Sequence, residues 1–260
     1  MSESPLKVWL EHDGSLLRLR LARPKANIID AEMIAALSSE LSSALDSQQG
    51  STCLSAVLLD AEGPHFSFGA SVEEHMPESC AAMLASLHAL IKQMLDCPVP
   101  ILVAIAGQCL GGGLEVACGG DLLFAHPQAK LGQPEIKLGV FAPAASCLLP
   151  ERIGAAQAQD LLWSGRSIDG VEAHRIGLVN ELAEDPSAAA LAWFENHLLG
   201  GSASTVRMAV KAVQSGAVDQ LKARLDTVEA LYLQDLMTTH DAVEGLQAFV
   251  EKRTANWEHR

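Results

Sequence analysis

Three consecutive glycines, Gly111-Gly112-Gly113, separate the apolar run Pro100-Ile101-Leu102-Val103-Ala104-Ile105-Ala106 from the helix-compatible segment Leu114-Glu115-Val116-Ala117-Cys118. No other feature restricts the fold as much. A short, continuous apolar run bounded by turn residues reads as a strand buried on both faces. Glycine lets the chain leave that strand sharply and lets another group approach the peptide N–H groups closely. At a helix start those N–H groups lack intrahelical acceptors and favour negative charge. A strand, a glycine turn and a helix in this order are therefore able to stabilise an anion that develops only during a reaction. Glu115 projects beside that turn. Its blander reading is a solvated acid early in a helix, but the apolar Leu114, Val116 and Ala117 argue against exposure. A desolvated carboxyl has its pKa raised toward the working pH of an acid–base catalyst.

The rest of the chain alternates strand-like and helix-like segments. Residues 15–21 alternate as a strand and stop at Arg23-Pro24-Lys25. Over residues 30–45, Met33, Ile34, Leu37, Leu41 and Leu45 recur at helical spacing, with Asp30 as the expected N-cap. Residues 56–59, 99–106 and 122–125 read as buried strands and residues 79–95 as a helix. Buried strands separated by helices predict an α/β fold whose sheet is covered on both faces. From about residue 185 strand signals cease, and residues 188–199, 205–213, 218–236 and 240–252 all read as helical. That change marks a C-terminal helical module, and a division into residues 1–195 and 196–260 is expected.

Several function classes are disfavoured. The formal net charge of −14 argues against nucleic acid or an anionic membrane as partner, since phosphates would go unneutralised. The six cysteines have no CxxC spacing and lie in mostly apolar contexts, so free thiols are expected and a zinc or other metal site is not. The most apolar stretch, residues 99–114, is broken by proline and glycine, which is wrong for a membrane span. Residues 1–7 have no basic region followed by an apolar one, so no signal peptide is expected and the cytoplasm is the default. No P-loop, no GxGxxG after a strand and no GxSxG frame occurs. His65 reads as structural or solvated.

A second glycine turn, Phe66-Ser67-Phe68-Gly69-Ala70-Ser71, follows the strand at residues 56–59 and offers the N–H of Ala70. Two N–H groups from separate loops aimed at one oxygen suffice to stabilise an enolate. Glu135, in Leu131-Gly132-Gln133-Pro134-Glu135-Ile136, lies in a turn-rich loop. From the residues alone, each glycine turn also reads as a turn without a ligand, and Glu135 as a surface acid. Two carboxyls facing one substrate, one giving and one taking a proton, would allow water to be added or removed.

In order and spacing these segments resemble the crotonase (enoyl-CoA hydratase/isomerase) superfamily along almost the whole chain. Arg23-Pro24-Lys25-Ala26-Asn27 resembles an early CoA-contact loop, residues 66–70 and 106–117 the two oxyanion segments, residues 131–139 the second-carboxylate loop and residues 245–257 the closing helix. The resemblance implies a spiral of ββα units followed by a C-terminal helical trimerisation region, with a homotrimer or a pair of trimers. It implies an acyl-CoA thioester substrate, with no cofactor beyond the coenzyme A the substrate carries. It implies Ala70 and Gly112 as the oxyanion hole, Glu115 as the group that orients and deprotonates water, and Glu135 as the proton donor to carbon. Gly69, Gly111, Phe68, Ser71, Phe141 and Pro143 are the implied acyl and loop positions, and Lys25, Lys252 and Arg253 the implied phosphate contacts.

The chain departs from the family pattern at three places. Ser71 and Glu73 stand where an Asp and a Lys are usual, Phe68 replaces a small residue, and Phe141-Ala142-Pro143-Ala144-Ala145-Ser146 replaces a glycine-rich run. Pro143 has no N–H to offer a water. These departures resemble the dienoyl-CoA hydratases of anaerobic aromatic degradation, which implies a flat cyclic acyl group beside Phe68 and Phe141. A family isomerase or hydrolase on a related ring, and a non-catalytic acyl-CoA-binding oligomer, are the competing readings.

Overall fold

The computed structural model describes residues 4–46 and 53–260, with the side chains of residues 44–46 left aside. The N-terminal residues 1–3 considered for a signal peptide, and the side chain of Leu45, lie outside the described residues. The chain runs β1 (Leu6–Glu11), β2 (Leu16–Leu21), α1 (Ala31–Asp46), β3 (Ala56–Ala61) and α2 (Cys80–Leu95). It continues through β4 (Ile101–Ile105), β5 (Gln108–Leu110), α3 (Gly112–Gly119), β6 (Leu122–Ala125) and β7 (Lys130–Gly132). Then come α4 (Pro143–Ser164), β8 (Ser167–Asp169), α5 (Gly170–Arg175), β9 (Glu181–Leu182) and α6 (Pro186–His197). The chain closes with α7 (Ala203–Gln214), α8 (Ala217–Gln234) and α9 (His240–Val250).

Six strands form a sheet in the order β1-β2-β3-β4-β6-β9, and β5-β7-β8 form a smaller one. The larger sheet is parallel except for the β1–β2 pair. Successive turns of the chain supply one strand to each sheet, β4 then β5 before α3, β6 then β7 before α4. This gives the expected repeat of two strands and a helix.

Strand alternation sends residues to two separate cores. Leu17, Leu19, Val57, Leu59, Ile101 and Val103 pack on the side of α1 and α2, while Leu16, Leu58, Leu102 and Phe124 pack against Ala190 and Phe194 of α6. Both faces of the sheet are therefore covered, which is why β4, β6 and residues 56–59 of β3 read as unbroken apolar runs. On the α6 face one buried acid, Asp60, accepts from Arg18 at 2.6 Å, Arg20 at 2.7 Å and Ser187 at 2.6 Å. Helix α1 begins as expected, the Asp30 carboxylate accepting from the Met33 N–H at 3.0 Å. Cys53 is exposed and the other five cysteines are buried as free thiols.

Candidate active site

Glycine sets the position of two peptide groups. Gly69 has φ +112°, a conformation open to residues without a side chain, and its N–H donates to the Ser67 hydroxyl at 3.0 Å. Ser67 in turn bridges to Cys109 of β5. This lays the Ala70 peptide against the start of α3. A Cβ built on Gly112 would stand 2.9 Å from the Cβ of Ala70 and 3.1 Å from its nitrogen. Among the described residues, neither the Ala70 nor the Gly112 N–H has a carbonyl acceptor. Two free amides thus share one narrow opening, at the N-terminal end of a buried helix.

The two carboxyls join them. Glu115, in the first turn of α3, is buried, and its Oε1 accepts from the Ala145 N–H at 2.9 Å. Burial pushes its pKa up to about 7, against the lowering influence of the Ala145 and Ala144 amides. Glu135 sits in a 3-10 turn, Pro134–Leu138, and burial followed by the like charge of Glu115 pushes its pKa up to about 8. The β5–β7 pairing places this turn beside Gly111. A Cβ on Gly111 would fall 2.7 Å from Glu135 Oε1. With the Gln133 amide turned to suit its neighbours, its NH2 donates to both Glu135 oxygens at 3.1 Å and to the Gly111 carbonyl at 3.3 Å. Near neutral pH such a pair holds one proton between two carboxyls, which is the condition for one to act as acid while the other acts as base.

Phe68, Ala70, Gly112, Glu115 and Glu135 all line a single cavity of about 70 Å³. Gly69 and Gly111 hold its backbone. The other expected positions lie elsewhere. Phe141 turns its ring edge-on to Tyr232, centroids 5.3 Å apart, while its neighbours Val140 and Ala142 face the cavity. Pro143 is the first residue of α4, where a missing N–H leaves no helix bond unmade. The next two amides of that helix serve Glu115. Ser71 orders the turn that follows it, accepting from the Glu74 N–H at 3.3 Å. Lys25 and Lys252 are exposed and line no part of the cavity, and Arg253 is paired with Glu244 and Glu251. His65 is structural, its Nδ1 accepting from the Gln108 N–H at 3.2 Å.

Sequence reasoning missed Val72, His75 and Pro134, which also line the cavity, and Gln133 behind Glu135. It also missed Leu138 and Leu246, which the fold brings together from distant segments. A polar His75 two residues beyond the unusual Glu73 was the available signal. Among the described residues no group of three or more His, Cys, Asp or Glu side chains is arranged to hold a metal ion. No helix among them is long and apolar enough to cross a membrane.

Residues 11–260 match the family model described as enoyl-CoA hydratase/isomerase, and the chain belongs to that family. A solved enoyl-CoA hydratase/isomerase from Pseudoalteromonas atlantica superposes with a TM-score of 0.84 at 28% identity, covering 97% of this chain and 99% of that one. The rat mitochondrial methylglutaconyl-CoA hydratase is 33% identical, over 82% of this chain and 70% of its own. Far nearer is the cyclohexa-1,5-dienecarbonyl-CoA hydratase of Thauera aromatica, which is 70% identical across the whole of both chains.

Proposed function

We propose that this protein is a hydro-lyase that adds water to cyclohexa-1,5-diene-1-carbonyl-CoA, giving 6-hydroxycyclohex-1-ene-1-carbonyl-CoA. The full-length 70% identity to the Thauera aromatica hydratase carries the reading. The carboxyl pair beside two free amides supports it chemically.

The thioester oxygen accepts from the Ala70 and Gly112 N–H groups. Glu115, ionised, takes one proton from water as the water oxygen bonds to the ring carbon β to the carbonyl. The displaced electron pair moves onto the thioester oxygen, where the two amides stabilise it. Glu135, protonated, then gives its proton to the far end of the diene, and the remaining double bond settles next to the carbonyl. One water enters, one C–O and one C–H bond form, and no oxidant or cofactor takes part. The α4 amides that hold Glu115 orient the base in place of the glycine-rich run other family members carry there.

Coenzyme A phosphates reach Lys25, Lys252 and neighbouring cations in this reading. Residues 196–260 serve trimer or paired-trimer assembly, supported by the exposed apolar side chains Met208 and Val213 on α7. The cytoplasm is the compartment. Incubation with cyclic and straight-chain enoyl-CoA thioesters in oxygen-labelled water tests the reading. Loss of conjugated absorbance with label in a ring hydroxyl is expected; isomerised product without label, or no turnover of the ring substrate, overturns it.

A further inference from the structure

Apart from the two glutamates, every side chain lining the cavity among the described residues is apolar except one, His75. It ends a 3-10 turn, Glu73–His75, anchored by the Ser71 hydroxyl and by the His75 N–H bond to the Val72 carbonyl at 3.0 Å. Its ring Nδ1 lies 2.7 Å from the Ser71 carbonyl oxygen. A carbonyl oxygen only accepts, so Nδ1 must carry the hydrogen and a neutral ring presents a lone pair on Nε2. Burial pushes the imidazole pKa below its ordinary value, which keeps the ring neutral. Nε2 has no protein partner among the described residues, so it is the free polar atom that His75 brings to this wall.

The reaction proposed above leaves one need unmet. Water has two hydrogens: Glu115 removes one, and the other stays on oxygen and becomes the hydrogen of the ring hydroxyl. Protonated Glu135 keeps acceptor lone pairs, but its oxygens already face the Gln133 amide and Glu115 is occupied with the first hydrogen, so the unpartnered Nε2 of His75 is the acceptor this wall adds for the second. We propose that Nε2 of His75 accepts a hydrogen bond first from the attacking water and then from the ring hydroxyl, making His75 a substrate-contacting residue that selects hydroxylated ring acyl groups. The inference rests on the hydratase reading and deepens it. An unpaired acceptor in a buried pocket discriminates against ligands that lack the matching donor.

The test compares two ring thioesters, 6-hydroxycyclohex-1-ene-1-carbonyl-CoA and its deoxy counterpart cyclohex-1-ene-1-carbonyl-CoA, binding to wild type, His75→Phe and His75→Gln. Wild-type turnover of the diene is measured first, and its absence would sink the hydratase reading itself. Given turnover, His75→Phe is expected to bind the hydroxylated thioester about tenfold more weakly while holding the deoxy one within about threefold. His75→Gln, which keeps a carbonyl acceptor, is expected to recover most of that loss in binding and in kcat. The deoxy ligand reports on folding in the same sample. Equal weakening of both ligands in either variant, or an unchanged preference for the hydroxylated ligand in His75→Phe, overturns the assignment.

Discussion

Replacing Glu135 by Gln gives the most informative perturbation, because one substitution moves stability and activity in opposite directions. The carboxyl is raised from 4.5 to about 8 by burial and by Glu115. Between those values the folded chain holds a proton that the unfolded chain has released. Stability linked to that proton is fully present below pH 4.5 and is lost as pH rises through the folded value. By pH 7 the difference spans some 2.5 units at about 1.4 kcal/mol each, or about 3 kcal/mol. Glutamine cannot release a proton, so its stability should not fall in this way. Urea unfolding at fixed protomer concentration, at pH 5 and at pH 7.5, reads the effect. The wild type should lose about 3 kcal/mol more across this range than Glu135→Gln. The variant should also turn over at least ~100-fold more slowly, having lost its proton donor. Parallel loss of stability in the two proteins would refute the claim that Glu135 is a strained, desolvated acid.

Other substitutions probe single contacts. Gly112→Val puts a side chain against Ala70 and should lower kcat/KM by about 100-fold or more in the absorbance assay, with the secondary structure intact by circular dichroism. Asp60→Ala leaves the Arg18 guanidinium buried without its acid and should cost about 3–5 kcal/mol in urea unfolding. Asp30→Ala removes the α1 cap and should cost about 1 kcal/mol, with kcat unchanged.

The parts of this molecule that the sequence revealed are those with a local periodic signal. Residues 56–59 of β3, and β4 and β6, are unbroken apolar runs because helices cover both faces of their sheet, and α1 and α2 carry apolar stripes of helical period. The strands β5, β7, β8 and β9 escaped notice because two or three residues are too few to display alternation. β1 was hidden too, since three of its six side chains are exposed and only Leu6 is fully buried. At the site, Gly112 and Glu115 stood out because glycine and a lone acid are conspicuous in an apolar segment. Ala70 was pointed to only weakly, by the Gly69 turn before it, and Glu135 became legible through family resemblance, since a lone acid in a turn-rich loop reads as a surface residue. His75, Gln133 and Leu246 acquire their roles only through long-range packing, which one-dimensional spacing does not encode. Phe141 is expected beside the acyl group from the resemblance of its segment to the dienoyl-CoA hydratases, and its ring meets Tyr232 edge-on.

The turn that holds Glu135 leans on residues synthesised a hundred positions later. A Cβ on Gly245 would collide with the Leu138 carbonyl at 2.1 Å, and one on Gly139 would strike the Asp241 carbonyl and the Trp257 ring at 2.7 and 3.0 Å. A growing chain can therefore complete its sheets and bury Glu115 on the ribosome while the wall behind its second acid is still missing. Competence arrives late: a chain stopped just before residue 240 would lack Leu246 from the cavity wall and the Asp241 carbonyl and Trp257 ring that back Gly139.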